Sequence, residues 1–260
     1  MRLVIVHAGF HKTGTTTVQT SLRDNRRRLA PHLQVILRPG MVALCEAARA
    51  FSVARDPLDM ALFRYELARL AEGWSHTDPR PLLLASEDLS GHMPGRRGLT
   101  GYDAAPLLMR ALSETLAEAM PASRLQFYYS TRAAAPWLAS CYRQTLRATR
   151  LTLGEAEYTR RFRASAALDA AVDAVARAVA PLPVQRCALE TSQDRPLGPL
   201  APLLDLLDLP DAVRAAIVLH PAANTALPQE VIDRLLALNR SDLDDNALRA
   251  AKLAAARAAR

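Results

Sequence analysis

Short apolar runs alternate along this chain with longer stretches in which apolar residues recur every three or four positions. The short runs have the length and the β-branched or aromatic content of buried strands. They span residues 3–6, 33–37, 82–85, 125–130 and 184–189. Because helical stretches separate them, the pattern predicts an α/β fold with a mainly parallel central sheet covered by helices on both faces.

The helical stretches are residues 18–29, 41–51, 58–72, 103–120, 136–143, 155–162 and 165–180. Beyond the last predicted strand the chain is helical, so we expect a helical C-terminal third. Its final helix carries a capping signal, Ser241 followed three positions later by Asp244. Hydrophobic residues make up 50% of the chain and no linker-like segment divides it, so residues 1–260 are expected to form one domain.

The turn between the first predicted strand and the first helix contains an unusual lysine. Of the 33 lysine and arginine residues only Lys12 and Lys252 are lysine. An ammonium is a compact charge that suits a single oxygen, whereas guanidinium is a broad fork. Gly9 and Gly14 flank Lys12, and threonines follow at positions 15–17. Because unpaired N–H groups and the helix dipole favour an anion at a helix start, this turn predicts a phosphate or sulfate site.

The order of residues in this turn differs from that of the ATP-binding P-loop, G-x-x-x-x-G-K-[ST]. Thr15 follows Gly14 where that motif has lysine, and Lys12 precedes Gly14 by two positions. Residues 7–16, HAGFHKTGTT, instead match the pattern H-x-G-x-x-K-T-G-T-T. The chain therefore resembles the sulfotransferase superfamily, particularly its bacterial and carbohydrate-type members. The alternative is a Gly/Thr-rich turn that only caps a helix.

This resemblance implies a three-layer P-loop-like fold and the donor 3′-phosphoadenosine 5′-phosphosulfate (PAPS), with no metal required. It also implies that Lys12 stabilises the bridging oxygen as the donor's phosphate leaves. The residues expected to contact the 5′-phosphosulfate are His11, Lys12, Thr13, Gly14, Thr15, Thr16 and Thr17. His7 is interpreted instead as a core histidine at the end of a strand.

A second segment, after the fourth predicted strand, supports the same resemblance. Arg132 follows that strand, and Ser140 lies eight positions further on. Members of the family place an arginine and a serine at this separation, which implies that Arg132 and Ser140 bind the donor's 3′-phosphate. The family usually has a proline two residues after the arginine, whereas Pro136 here follows after four. A solvated surface charge is the alternative interpretation of Arg132.

Sulfuryl transfer to a hydroxyl also needs a group that takes the hydroxyl proton. Glu87 follows the third predicted strand, at the end of the sheet where a cleft should open, and carbohydrate-type sulfotransferases often have a catalytic glutamate in such a segment. We therefore expect Glu87 to be the base, with Asp88 and His92 as further candidates. A helix-capping carboxylate and a metal-binding strand of a nucleotide hydrolase are the alternatives.

The net charge of +7 and a pI near 9.8 could indicate a nucleic-acid partner. Arginines do cluster at positions 26–28, 96–97 and 160–163, but no recognition motif or basic-aromatic platform accompanies them. We therefore expect a polyanionic small molecule and no nucleic acid. The arginines at 26–28 are best explained as a helix C-terminus that complements its dipole.

No apolar run has bilayer-spanning length, so we expect no membrane span and a cytoplasmic protein. The odd number of cysteines, Cys45, Cys141 and Cys187, predicts reduced, buried thiols. The glycine-rich segment 91–98 is expected to be a mobile loop near the cleft. The sequence thus predicts a sulfotransferase that acts on a hydroxyl of a small molecule, such as a carbohydrate. An ATP-dependent small-molecule kinase and a non-catalytic nucleotide-binding protein of the same fold are the alternatives.

Overall fold

A computed structural model of the chain describes residues 1–75, 77–220 and 227–257. Five strands form one sheet: β1 (Arg2–His7), β2 (Gln34–Leu37), β3 (Leu82–Ala85), β4 (Ser123–Thr131) and β5 (Val184–Ala188). Their order is β2-β3-β1-β4-β5, and every neighbouring pair is parallel. All five predicted strands are confirmed, with ends shifted by three residues or fewer.

Thirteen α-helices flank the sheet within the described residues. They are α1 (Thr15–Asp24), α2 (Arg26–Leu29), α3 (Val42–Ala54), α4 (Pro57–Glu72), α5 (Ala105–Ala119), α6 (Ala134–Ala148), α7 (Glu155–Arg161), α8 (Leu168–Ala178), α9 (Leu189–Ser192), α10 (Ala201–Leu204), α11 (Asp211–Ala215), α12 (Gln229–Asn239) and α13 (Asp245–Arg257). The α/β class and the three-layer, P-loop-like arrangement are therefore confirmed. After β5 the described chain is helical.

The side chains of β1 point alternately to the two faces of the sheet, and each face has its own hydrophobic core. Val4 and Val6 face a large core that α3, α4, α5, α6 and α8 cover. Ile5, between them, faces a smaller core that α1 and α10 cover. Both faces of β1 are buried, as expected for the central strand of a parallel sheet. The turn after β1 therefore lies at the middle of the sheet's carboxyl edge, where parallel α/β proteins bind ligands.

The prediction of one helix over residues 18–29 was wrong in its extent. Helix α1 begins earlier, at Thr15, and the helical conformation is interrupted at Asn25, before α2. The buried Asn25 amide donates to the Ser21 carbonyl at 2.8 Å and to the Val218 carbonyl at 2.7 Å. Val218 N–H donates back to Asn25 Oδ1 at 3.0 Å. This pairing with a distant segment ends the helix.

Three further helix boundaries were predicted incorrectly. Asp244, not Ser241, caps α13, because its Oδ1 accepts from the N–H groups of Asn246 and Ala247 at 2.8 and 2.9 Å. The helix after Arg132 is longer than predicted, starting at Ala134 and ending at Ala148. The stretch predicted as one helix over 165–180 is a 3-10 turn followed by α8.

The glycine-rich segment 91–98, predicted to be a mobile loop, is packed against other parts of the protein at Gly91 and Gly95. Gly91, at φ +86°, packs so closely that an added Cβ would lie 2.4 Å from Ser52 Cβ. An added Cβ on Gly95 would lie 2.8 Å from the Tyr158 hydroxyl. Gly95 N–H also donates to the Leu99 carbonyl at 2.8 Å.

The three cysteines are free thiols, as predicted, but only Cys45 and Cys141 are buried, and Cys187 is partly exposed. Across the described ranges no helix combines the length and the apolar character that a bilayer crossing requires.

Candidate functional site

The loop between β1 and α1 has a backbone that glycine makes possible. Gly14 has φ +92°, and an added Cβ would lie 3.0 Å from Leu189 Cδ1. At Gly9 an added Cβ would lie 2.9 Å from Thr15 Cγ2 and 3.0 Å from His7 Nε2. Lys12 itself is left-handed, with φ 67°. The loop is therefore folded tightly, and Lys12 holds a backbone conformation that lysine rarely adopts.

Three consecutive carbonyls of this loop are bound by side chains. Thr13 Oγ1 donates to the Phe10 carbonyl at 2.6 Å, Trp137 Nε1 to the His11 carbonyl at 2.9 Å, and Arg132 Nη1 to the Lys12 carbonyl at 3.1 Å. The C=O and N–H of a trans peptide point in opposite directions. The N–H groups that follow the His11 and Lys12 carbonyls therefore point away from Trp137 and Arg132.

Several backbone amides of the loop and of the first turn of α1 are unpaired in the part of the chain that the structure describes. The N–H groups of Lys12, Gly14, Thr15, Thr16 and Thr17 donate to no acceptor among the described residues. The first turn of α1 carries no acidic residue, so its positive dipole end is not neutralised. This set of free donors suits a tetrahedral anion such as phosphate or sulfate.

The Lys12 ammonium extends from the loop towards α6. Its Nζ donates to Gln144 Oε1 at 3.3 Å. Burial lowers the pKa of Lys12, the nearby Arg147 and Arg132 guanidinium groups lower it further, and Glu87 raises it. A half-buried cation beside free amides is poorly solvated and gains from a bound anion.

Of the predicted threonine ligands, Thr13 and Thr15 are buried, whereas Thr16 is exposed and Thr17 is partly exposed. The Thr13 hydroxyl is used internally, since it contacts Ser130 Oγ at 2.8 Å as well as the Phe10 carbonyl. Ser130 Oγ in turn lies 3.3 Å from His7 Nε2. The Thr13 side chain thus fixes the loop to β4, whereas the hydroxyls of Thr15, Thr16 and Thr17 form no hydrogen bond with any described residue.

His7 is the core histidine that the sequence predicts. It is 1% exposed, and burial lowers the pKa of its imidazole to about 4. His7 is therefore neutral at physiological pH. Ser130, which connects His7 to the loop through Thr13, was missed by the sequence analysis because it looks like an ordinary strand residue.

His11, predicted to contact the donor, is held by two residues outside the loop. The Tyr102 hydroxyl lies 3.1 Å from both the backbone nitrogen and Nδ1 of His11. The hydroxyl accepts from the backbone N–H. Because the Asp88 carboxylate beside Nε2 can only accept, the tautomer that matches both ring contacts has its proton on Nε2 and accepts from the hydroxyl at Nδ1. His11 Nε2 lies 3.4 Å from Asp88 Oδ1. Both ring nitrogens of His11 therefore have partners within the protein, and His11 links the loop to Tyr102 and Asp88.

Asp88 is unsuited to be the base. Its Oδ2 accepts from Arg38 Nε at 2.6 Å, and its Oδ1 faces His11. Burial raises the pKa of the carboxyl, but the hydrogen bonds from His11 and Arg38 outweigh burial and hold it at about 2. A carboxylate this acidic and fully engaged accepts a proton poorly near neutral pH.

Glu87 lies at the first position of the 3-10 helix Glu87–Ser90, directly after β3. Its Oε2 accepts from Gln19 Nε2, on α1, at 2.5 Å. Gln19 lies on the helix that follows the Lys12 loop, so Glu87 is held at the same edge of the sheet as the loop, and its charge raises the pKa of Lys12. Ser86, rather than Glu87, caps the 3-10 helix, because its Oγ accepts from the Asp88 N–H at 3.3 Å. No group of three or more His, Cys, Asp or Glu side chains that could hold a metal ion occurs in the described ranges.

His92, the other candidate base, is poorly suited to accept a proton. Arg49 Nε donates to its Nδ1 at 3.3 Å, and its backbone N–H donates to Ser52 Oγ at 3.0 Å. Burial and the nearby Arg49 and His11 lower the pKa of His92 to about 4. The imidazole is neutral and its Nδ1 lone pair is already bound.

Arg132 lies beside the loop, as the resemblance requires. Besides its bond to the Lys12 carbonyl, its Nε is buried with no hydrogen-bond partner in the described residues. The Glu190 carboxylate lies 3.9 Å from that Nε and accepts from the Ala133 N–H at 3.2 Å. One nitrogen of the guanidinium is thus unsatisfied at the carboxyl edge of the sheet.

Ser140 lies on the face of α6 that looks towards the loop. Trp137, three residues before it, and Gln144, four residues after it, contact the His11 carbonyl and Lys12 respectively. Residues three and four apart share a helix face. The structure therefore brings Arg132, Ser140 and the Lys12 loop together, although Trp137 and Gln144 were not predicted. A buried tryptophan, whose indole N–H needs an acceptor, was the available signal.

A scan against protein-family models and a search of curated proteins both returned no match.

Proposed function

We propose that this protein is a sulfotransferase that moves a sulfuryl group from PAPS to a hydroxyl of a small-molecule acceptor. One observation carries the proposal: unpaired amides, a half-buried lysine and an unsatisfied arginine converge at the carboxyl edge of the sheet. A donor with phosphate groups at two ends matches this arrangement of two cationic positions.

In this mechanism the free amides of the loop, with the Thr16 and Thr17 hydroxyls, bind the 5′-phosphosulfate. Lys12 contacts the oxygen that bridges phosphorus and sulfur. As the S–O bond breaks, negative charge grows on that oxygen, and the compact ammonium stabilises it more in the transition state than in the ground state. Lys12 is already poorly solvated, so little reorganisation opposes this stabilisation.

The 3′-phosphate binds Arg132 and Ser140 in the same mechanism. Arg132 has a free Nε for one phosphate oxygen, and the Ser140 hydroxyl donates from the adjacent helix face. The bond from Arg132 Nη1 to the Lys12 carbonyl then couples the two phosphate sites through the loop.

Glu87 takes the acceptor's proton. The acceptor oxygen forms the new bond to sulfur, its proton moves to the Glu87 carboxylate, and the bisphosphate nucleotide leaves. Gln19 orients the carboxylate through Oε2, which leaves Oε1 for the acceptor hydroxyl. Asp88 and His92 are weaker candidates, because their proton-accepting atoms are already bound. No metal ion is needed in this scheme.

We also place the protein in the cytoplasm as part of this proposal, because its three cysteines are free thiols. Residues 1–260 acting as one domain, and a small molecule rather than a nucleic acid as the partner, belong to the same proposal.

One observation favours the alternative of an ATP-dependent kinase. The Glu190 carboxylate lies close to Arg132 and would repel a 3′-phosphate unless it moves. A nucleotide with an unmodified ribose would meet no such repulsion.

Ligand-dependent thermal shifts separate these functions. Adenosine 3′,5′-bisphosphate should raise the melting temperature without divalent metal and more than ATP does, since it fills both phosphate sites. A shift that needs ATP with Mg²⁺ would instead favour the kinase. Turnover is then measured with radiolabelled PAPS and a panel of hydroxylated acceptors. Donor binding without transfer to any acceptor would indicate a non-catalytic binding protein.

A further inference from the structure

A cluster of cationic side chains lies next to the proposed reaction site and is not used by the donor. Arg49, on α3, donates through Nε to His92. Arg96 follows in the anchored segment 91–98. Asp88, at the other side of His11, pairs with Arg38. Glu46 is the only further carboxylate paired with these arginines in the described ranges, and it is shared by Arg38 and Arg49.

Arg96 is the cation in this cluster whose charge is least compensated. It forms no salt bridge with any described residue, and its Nε is buried without a hydrogen-bond partner. Burial and then the neighbouring Arg49 lower the pKa of Arg96, whereas Asp88, Tyr158 and Cys141 raise it. A guanidinium in this situation carries an unrecovered desolvation cost, which a bound anion would offset.

The position of Arg96 is fixed by the fold rather than left to a flexible loop. Gly91 and Gly95 pack against Ser52 and Tyr158, and Leu99 N–H donates to the Arg96 carbonyl at 3.0 Å. The segment that carries Arg96 begins directly after the 3-10 helix that holds Glu87, and Gly91 N–H donates to the Asp88 carbonyl at 2.9 Å. The donor's two phosphate positions lie at the β1–α1 loop and at Arg132, so Arg96 is free for the other substrate.

We propose that the acceptor is an anionic small molecule whose carboxylate, phosphate or sulfate group binds Arg96, with Arg49 beside it, while its hydroxyl reaches Glu87. This deepens the proposed function and depends on it for the identity of the reaction, but not for the existence of the anion site. The planar guanidinium fork suits two oxygens of one such group.

The probes are pairs of sugars that differ only in charge: glucuronate against glucose, and glucose 6-phosphate against glucose. We expect the charged member of at least one pair to bind the full-length protein measurably in calorimetry, with glucose much weaker. Arg96→Gln should weaken that binding about tenfold to one hundredfold, the loss expected for one charge-assisted contact. The preferred pair tells carboxylate from phosphate.

Arg97→Gln is the matched control, because Arg97 is exposed and loses the same charge from the same segment. It should bind the charged sugar as the wild type does. Equal losses in both variants, or no difference between charged and neutral sugars, would overturn the acceptor site. Adenosine 3′,5′-bisphosphate binding should be unchanged in Arg96→Gln, and a large loss there would assign Arg96 to the donor instead.

The outcome is separable from that of the proposed function. Charged-sugar binding that depends on Arg96, in a protein that transfers no sulfuryl group, would support the anion site and refute the sulfotransferase. Transfer of the sulfuryl group to neutral acceptors, with the same efficiency in Arg96→Gln as in the wild type, would support the sulfotransferase and refute the anion site.

Discussion

Lys12→Ala tests the mechanism most directly, because it removes the charge proposed to stabilise the leaving oxygen. If Lys12 were a solvated surface charge, its loss would cost about 1 kcal/mol or less, roughly fivefold in rate. It is instead half-buried, with a pKa lowered first by burial. Loss of a pre-organised group in such a setting costs about 2.7–4 kcal/mol, or about 100- to 1,000-fold in kcat. We expect a value in this second range.

No neighbouring cation can replace Lys12. Arg132 Nη1 is bound to the Lys12 carbonyl, which persists in the alanine variant. Arg147 is bound to Gln144, the same amide that Lys12 contacts. The free energy of unfolding should change by about 1 kcal/mol or less, because only one 3.3 Å hydrogen bond is lost. The left-handed backbone at φ 67° is as unfavourable for alanine as for lysine, so it adds no further difference. A large loss of activity could therefore not be ascribed to unfolding.

Lys12→Arg separates charge from shape. The guanidinium keeps the charge but spreads it over a fork too broad for one bridging oxygen, so we expect it to recover less than a tenth of the lost rate. The assay is single-turnover transfer from radiolabelled PAPS, with nucleotide affinity measured separately by calorimetry. Wild-type kcat in Lys12→Ala, or full recovery in Lys12→Arg, would refute the role given to this lysine.

Further predictions concern the other parts of the site. Arg132→Ala should weaken adenosine 3′,5′-bisphosphate binding about 10- to 100-fold, as expected for one charge-assisted contact, with little effect on adenosine 5′-phosphate. Glu190→Gln should strengthen bisphosphate binding by removing a competing carboxylate, and unchanged affinity would favour a nucleotide without a 3′-phosphate. Glu87→Gln should leave donor affinity intact and lower kcat about 100- to 10,000-fold, and full activity would eliminate Glu87 as the base. Burial lowers the pKa of His7 from 6.5 to about 4, so between these pH values the His7 imidazole is protonated in the unfolded chain and neutral in the folded protein. The free energy of unfolding should therefore fall as pH drops from about 6.5 to about 4, with a shallower slope in His7→Gln in chemical denaturation.

The strands and the tight turn between β1 and α1 were predictable because their signals are local. Each strand is a short apolar run with turn residues at its ends. The loop is indicated by Gly9, Gly14 and a lysine in an arginine-rich chain. Arg132 was placed correctly because it follows such a run directly. Strand order was not predictable in the same way, since it depends on which runs pair in space.

Several of the missed features depend on side chains that form hydrogen bonds with groups far away in sequence. Asn25 breaks the first helix through Val218, and Ser130 fixes the loop through Thr13. Trp137 reaches the His11 carbonyl across 126 residues of sequence. None of these contacts leaves a periodic signal, because each depends on where the sheet brings two segments together.

The two lysines show how far composition alone supports an assignment of function. Lys252 is as unusual in this chain as Lys12; it is buried, and burial lowers the pKa of its ammonium. Its Nζ donates to the Thr149 carbonyl at 2.8 Å and to Asn239 Oδ1 at 2.7 Å, and the Asn239 amide donates to the Leu146 and Leu151 carbonyls. Lys252 therefore joins α13 to α12 and the end of α6, with its donors used inside the protein. A lysine in an arginine-rich chain indicates a site that suits a compact cation, and its hydrogen-bond partners distinguish a structural role from a binding role. Around Lys12 several amides are unpaired among the described residues, and the acceptor that its Nζ contacts is a neutral amide at 3.3 Å. The proposed anion site rests on this difference from Lys252.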